Sequence, residues 1–252
     1  MWWSGRGASR RRAPTRTQLG HVAIAAFTIF IGSTASIVWS QQYLSSSLAG
    51  LLAGTVPLSM TLVGWAGLRE RPGRSALAGL GIGFAGLALL VGVSAPGRFE
   101  SLPIAVALFG TIAWAVGSAY SRRAEMPPDP IMSAGLQMLM GAGFLAGLGV
   151  ATGELAEIWW GRMSIGTALW FAHLAVPCTI TYGTYVWLLH ARGMTVASSY
   201  AYLMPGVAVV LGWWVLDEHI GLPAIAGGAL IVLGVVMVVL GSRTHPAPTV
   251  SS

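Results

Sequence analysis

The chain alternates between long apolar stretches and short polar turns over most of its length. The apolar stretches carry almost no charge and are about 20 residues long, the length that an α-helix needs to cross a hydrocarbon core about 30 Å thick. Because lipid offers no partner to free backbone groups, such spans must be helical. The pattern predicts an all-α polytopic membrane protein with about eight transmembrane helices: His21–Trp39, Ser47–Leu68, Ser75–Val93, Leu102–Tyr120, Ile131–Thr152, Ile165–Leu189, Val196–Leu216 and Leu222–Leu240.

One long segment of the chain is repeated. The sequence from Ala49 to Gly86 returns from Ala197 to Gly234 after a shift of 148 residues, the interval between Pro57 and Pro205. No gap is needed, and the matches include Pro57 with Pro205, Trp65 with Trp213, Glu70 with Glu218, Gly79 with Gly227 and Gly86 with Gly234. Because the shift spans an odd number of predicted helices, the two copies are inverted relative to each other. Inverted repeats are typical of transporters whose halves rock around a shared central site.

The charge distribution predicts the orientation of the chain. Charged residues are only 9% of the sequence, and arginines crowd its first part at residues 1–20. An apolar span follows these arginines at once, which favours a cytoplasmic flank over a nucleic-acid-binding arm or a signal peptide. With the N-terminus inside, the arginines at 69–74 and 122–123 also fall on the cytoplasmic side. We therefore expect both termini to be cytoplasmic.

Glycine is abundant, with 34 residues, and some glycines recur at helical spacing. Small residues let helix backbones approach closely in lipid. Tight helix contacts are therefore expected, either within the chain or across a homodimer, at Gly79, Gly83, Gly86, Gly227 and Gly234.

Three pieces of the sequence carry a family resemblance: WSQQYLSSSLAGLLAGTVPL at 39–58 with the following Glu70, GTIAWAVGSAYSRR at 110–123, and ASSYAYLMPGVAVVLGWWVLDE at 197–218. Together they resemble the EamA-type transporters of the drug/metabolite transporter superfamily. The resemblance implies a carrier of ten helices in two five-helix repeats, in the cytoplasmic membrane. It also implies export of small metabolites, amino-acid-like solutes or drugs.

The chain departs from that family pattern in its first half, where the opening two of the ten helices are missing. A fragment and an eight-helix variant are both consistent with this departure. The predicted organisation is a basic cytoplasmic leader at 1–20, a truncated first repeat of three helices at 21–94, a second repeat of five helices at 102–241 and a cytoplasmic tail at 242–252.

Polar and aromatic residues inside the spans are the candidates for a substrate site. A small-molecule site needs an apolar wall and a few placed polar groups. The candidates are Trp39, Trp114, Ser118, Gln137, Tyr182, Tyr185, Ser199 and Tyr202. Packing between helices is the competing interpretation for each of them. Pro57 and Pro205 are predicted helix kinks, acting either as hinges or as fixed bends.

Other chemistry finds little support in the sequence. No acidic residue lies in the middle of a predicted span, which argues against a simple carboxylate proton relay. No pattern of metal ligands or of a nucleophile with its base is present, so we predict no enzyme, no cofactor and no metal. The leading hypothesis is a secondary transporter acting by alternating access, with a small-molecule solute and the lipid bilayer as partners and no nucleic acid. The alternative is a truncated, non-transporting membrane scaffold that acts only with a partner.

Overall fold

The computed structural model describes residues 13–68, 73–94, 101–157, 164–197, 211, 214–215 and 221–242. Within these residues the chain forms helices joined by short turns, with no strand. We number the helices α1 (Arg16–Gln41), α2 (Ser46–Ala53), α3 (Val56–Leu68), α4 (Arg74–Ser94), α5 (Ser101–Arg123), α6 (Pro130–Ala151), α7 (Ile165–Arg192), α8 (Met194–Ala197) and α9 (Leu222–Ser242). A short 3-10 turn at Glu154–Glu157 lies between α6 and α7.

The prediction of an all-α polytopic membrane protein is confirmed. Among the described residues, the segments long and apolar enough to cross a membrane are Arg16–Gln41, Leu48–Gly67, Ser101–Arg123, Pro130–Ala151 and Ile165–Ala191. Two shorter apolar helices, Arg74–Leu89 and Ile225–Val238, lie within α4 and α9. The predicted span Val196–Leu216 falls mostly outside the described residues.

Helix α1 begins at Arg16, ahead of the predicted start at His21. Thr15 Oγ1 accepts the backbone N–H of Gln18 at 3.2 Å, and Gln18 Oε1 accepts that of Thr15 at 3.1 Å. This reciprocal capping box satisfies backbone donors that the helix itself leaves free. Polar caps carry no hydrophobic signal, so the apolar pattern placed the helix start too late. Residues 16–20 of the predicted leader are therefore helical.

The centre of α1, Phe27–Ala35, is a π-helix that continues into α-helix at both ends. Such segments are rare and concentrate at functional sites. This segment packs against α5, which runs antiparallel to α1. A Cβ atom at Gly117 would lie 2.6 Å from Ile29 Cγ1, and one at Gly110 would lie 3.2 Å from the carbonyl oxygen of Ser33. The glycines of α5 therefore allow the two helices to approach closely.

The second predicted span, Ser47–Leu68, is two helices rather than one. Helix α2 ends at Ala53, and a turn at Gly54 and Thr55 separates it from α3. Pro57 is the second residue of α3, where its missing N–H breaks no helical hydrogen bond. The helix is thus interrupted just before Pro57, while a hinge role for this residue stays a prediction.

Helices α4 and α9 pack through the repeated glycines. A Cβ atom at Gly234 would lie 2.5 Å from the carbonyl oxygen of Gly79, and one at Gly86 would lie 2.7 Å from that of Gly227. The pairing is crossed. The repeat relates Gly79 to Gly227 and Gly86 to Gly234, whereas in the structure Gly79 contacts Gly234 and Gly86 contacts Gly227. Crossed pairing is what a two-fold axis between inverted copies produces, and the ends of α4 and α9 differ by the same 148 residues. The predicted tight contacts therefore form within the chain.

Candidate functional site

Trp114 and Ser118 on α5 form a closed ring of hydrogen bonds with Tyr185 on α7. The Trp114 Nε1–H donates to Tyr185 Oη at 3.0 Å, and Ser118 Oγ donates to the Trp114 carbonyl oxygen at 2.7 Å. Ser118 Oγ also lies 2.7 Å from Tyr185 Oη. A serine hydroxyl has one hydrogen, so Ser118 accepts from Tyr185 in this contact. Both Ser118 and Tyr185 are buried, so the ring ties α5 to α7 in the interior.

Gln137 on α6 joins the same region through a second set of hydrogen bonds. The Tyr182 hydroxyl on α7 donates to Gln137 Oε1 at 2.9 Å, and Gln137 Nε2 donates to Ser133 Oγ at 3.2 Å. Gln137 is completely buried and Ser133 is nearly so. A primary amide offers two donors and two acceptor positions. Gln137 therefore retains hydrogen-bonding capacity beyond these two contacts.

Aromatic rings fill the space between the two hydrogen-bonded groups. The ring centroids of Trp114 and Tyr182 are 6.2 Å apart with an interplanar angle of 83°, and those of Trp114 and Tyr185 are 5.2 Å apart. Phe30, from the π-helical part of α1, lies 5.6 Å from Tyr182. Among the described residues, the buried polar side chains are those of Ser, Thr and Gln, and none of them is charged.

Five of the predicted site residues thus come together from three helices. We call Trp114, Ser118, Gln137, Tyr182 and Tyr185 the aromatic site. It lies between the middle of each helix and one of its ends, since α5 ends at Arg123, α6 begins at Pro130 and α7 ends at Arg192. An uncharged site with rings, hydroxyls and an amide can stack on flat apolar groups and hydrogen-bond to one or two polar atoms.

Two residues of this region were missed by the sequence analysis. Ser133 lies four residues before Gln137, so helical spacing could have identified it as a neighbour on the same face. Phe30 gave no such signal, because an apolar residue in an apolar span is equally suited to packing or to lipid.

The remaining predicted site residues do not join the aromatic site in the described part of the chain. Trp39 lies near the end of α1, is 37% exposed and stacks on Tyr43 with centroids 4.9 Å apart. Ser199 and Tyr202 lie outside the described residues, as does Pro205. Among the residues that the structure describes, no group of His, Cys, Asp or Glu side chains could hold a metal ion.

Two further features lie toward the ends of the helices. His21 Nδ1 is 2.7 Å from Tyr120 Oη, which links the start of α1 to the end of α5. A half-open cavity of about 350 Å³ lies near the other end of α1, lined by Gln41, Leu44, Ser46, Ala49, Gly50 and Ala53.

The fold is that of a multi-pass membrane protein. Helices long enough to cross the bilayer and an internal inverted repeat are together typical of transporters. Comparison with known families agrees. Residues 1–92 and 101–240 match the EamA-like transporter family, and the chain belongs to that family.

Similar proteins carry transporter names. The chain is 29% identical over 241 residues to "Uncharacterized inner membrane transporter YedA" of Escherichia coli (strain K12), covering 94% of this chain and 76% of that protein. It is 25% identical over 209 residues to "Uncharacterized transporter YvbV" of Bacillus subtilis (strain 168), covering 83% of this chain and 68% of that protein. The B. subtilis protein "Uncharacterized transporter YoaV" is 23% identical over 212 residues.

Proposed function

We propose that this membrane transporter is a secondary carrier that exports small metabolites, amino-acid-like solutes or drugs by alternating access. The observation that carries the proposal is the convergence of five predicted residues from α5, α6 and α7 into one buried, uncharged aromatic site. Carriers built from inverted repeats bind their solute near the bilayer midplane, where the two halves meet. The aromatic site lies within these spans, between the middle of each helix and one of its ends.

The composition of the aromatic site favours a particular solute chemistry. Trp114, Tyr182 and Tyr185 supply rings on which a flat apolar group can stack. Ser118 and Gln137 supply a hydroxyl and an amide that fix orientation through hydrogen bonds. The buried polar side chains that the structure describes are uncharged. The site therefore suits solutes that carry a flat apolar portion beside one or two polar atoms.

The cellular setting follows the same proposal. The name of the E. coli relative places that protein in the inner membrane. We propose the cytoplasmic membrane for this chain too, with both termini inside, because its arginines cluster on the side that this orientation makes cytoplasmic.

The test is solute flux in liposomes that contain the purified chain. A panel of radiolabelled amino acids and small aromatic amines is screened, and Trp114→Leu is compared with the matched variant Trp39→Leu. We expect Trp114→Leu to abolish flux and Trp39→Leu to retain it, because Trp39 lies outside the aromatic site. Flux that is equal in both variants would contradict the assignment of the site. No flux for any solute, together with a partner retained on purification, would instead support a scaffold.

A further inference from the structure

Phe30 fills the space beside the aromatic site without taking part in its hydrogen bonds. Its ring lies 5.6 Å from that of Tyr182, at an interplanar angle of 55°. On its other side the ring presses against Gly141 of α6, and a Cβ atom there would overlap it, lying 2.8 Å from Phe30 Cε2. Phe30 is therefore wedged between α6 and α7, next to the ring on which a solute would stack.

Glycine at position 141 is what gives Phe30 this place. Of the nearby glycines on α6, Gly135, Gly143 and Gly147 have open space where a Cβ atom would be. Gly141 alone of these four meets another side chain, and the atoms that it meets all belong to Phe30. The contact is specific, because the missing side chain of one helix matches the ring of another.

The backbone that carries Phe30 is also unusual. Phe30 lies within the π-helix Phe27–Ala35, where the hydrogen-bond register differs from that of the α-helix on either side. In the same segment, Ser33 Oγ is fully buried and has no hydrogen-bond partner. A buried hydroxyl without a partner costs free energy, and native structures rarely contain one. In a second hydrogen-bond register of this segment, each residue of slip would rotate the helix by about 100°. Such a change would move both Phe30 and Ser33.

We propose that Phe30 determines which solutes the aromatic site admits. In this conformation its ring occupies the position in which the flat part of a solute would stack on Tyr182, and a solute enters by displacing it. The size of the space that Phe30 vacates then sets the upper size of the solute. This inference rests on the proposed function, because it takes the aromatic site to be the solute site.

The first test measures access to the site and needs no known solute. Cys178 is the single cysteine of the chain, so Cys178→Ser gives a background without thiols. Ser133→Cys then places one reporter beside Gln137, where the native residue is 1% exposed. A water-soluble methanethiosulfonate reagent is added to either side of liposomes that contain the full chain. Its reaction rate reports how often the reagent, and with it water, reaches position 133.

Three substitutions are compared in this reporter chain. Phe30→Ala removes the ring, Gly141→Ala adds one methyl group that pushes the ring aside, and Gly143→Ala adds the same group to the same helix where space is open. An open state populated at about 0.1–10% would become the main one when the ring is removed or displaced, so we expect the reaction rate to rise about tenfold or more. Gly143→Ala should leave the rate unchanged.

The outcomes separate this inference from the proposed function. A rate that stays at the parent value in both Phe30→Ala and Gly141→Ala, or that rises equally in Gly143→Ala, would overturn the role of Phe30. If Phe30→Ala does not fold, Gly141→Ala and the milder Phe30→Leu decide the question. The flux screen is a separate measurement. Faster modification without flux in any variant would retain Phe30 as the barrier but reject the carrier function. Flux with an unchanged modification rate would support the carrier function but reject the role of Phe30.

Discussion

Removing one oxygen atom, by the substitution Tyr185→Phe, should break the hydrogen-bonded ring between α5 and α7. Tyr185 Oη accepts from Trp114 at 3.0 Å and lies 2.7 Å from Ser118 Oγ. Without it, the Trp114 indole N–H loses its acceptor and Ser118 loses the hydrogen bond that it accepts. Ser118 still donates to the Trp114 carbonyl at 2.7 Å, so its hydroxyl is not left without a partner.

The expected cost follows from these two losses. A buried donor left without a partner costs about 1–3 kcal/mol. Hydrogen bonds measured within membrane proteins are weaker on average, about 0.6 kcal/mol with a maximum of about 1.7 kcal/mol, because the unfolded chain also finds partners in the membrane. Since Trp114 is only partly buried, we expect the unfolding free energy to fall by about 1–2 kcal/mol.

The measurement is reversible unfolding of the purified chain in mixed detergent and lipid micelles, by titration with dodecyl sulfate. Tyr43→Phe is the matched control, since Tyr43 is 59% exposed and keeps its stacking on Trp39. A double-mutant cycle with Trp114→Phe isolates the shared contact. The two variants are compared by their unfolding free energies. If Tyr185→Phe and Tyr43→Phe lower this free energy equally, within the error of about 0.3–0.5 kcal/mol expected for independent sites, the hydrogen bonds of Tyr185 do not stabilise the fold and our reasoning is refuted.

Two further changes test other contacts. Gly234→Ala should lower the unfolding free energy by about 1–3 kcal/mol, because its methyl group would meet the backbone of Gly79 and force α4 and α9 apart. Gly81→Ala, on the open side of α4, is the control. Equal unfolding free energies of the two variants would refute the close packing of α4 against α9. Gln137→Leu should weaken solute binding about tenfold, equivalent to about 1.4 kcal/mol, because it removes the acceptor of Tyr182. Equilibrium binding to the purified chain checks this, and an unchanged dissociation constant would exclude Gln137 from the site.

Much of the helix layout could be predicted from the sequence. The predicted span at Ile165 begins where α7 begins, and the predicted span Ser75–Val93 differs from α4 by one residue at each end. Long uncharged stretches leave few alternatives in a bilayer, so hydropathy alone sufficed there. It failed where local polar chemistry decides, as at the Thr15 cap and at the turn before Pro57.

The aromatic site was predictable in composition but not in geometry. Residue type indicated Gln137 and Tyr182 because polar groups are costly inside a span. Which of these groups meet depends on the rotation of each helix, and nothing in a nearly uniform apolar helix marks its inner face. The same reasoning placed Trp39 with them, although it lies near the end of α1. The place of the Phe30 ring beside the site depends on the π-helical register of Phe27–Ala35, which hydropathy does not reveal.

The crossed contacts between α4 and α9 have a consequence for how the two halves hold together. Each half contributes two glycines with the same spacing, so equivalent backbone positions of the two repeats meet at this contact. Joining the halves in one chain leaves that interface unchanged but raises the effective concentration of each half near the other. We therefore expect the two halves, produced as separate polypeptides in one membrane, to associate through the glycines at 79, 86, 227 and 234.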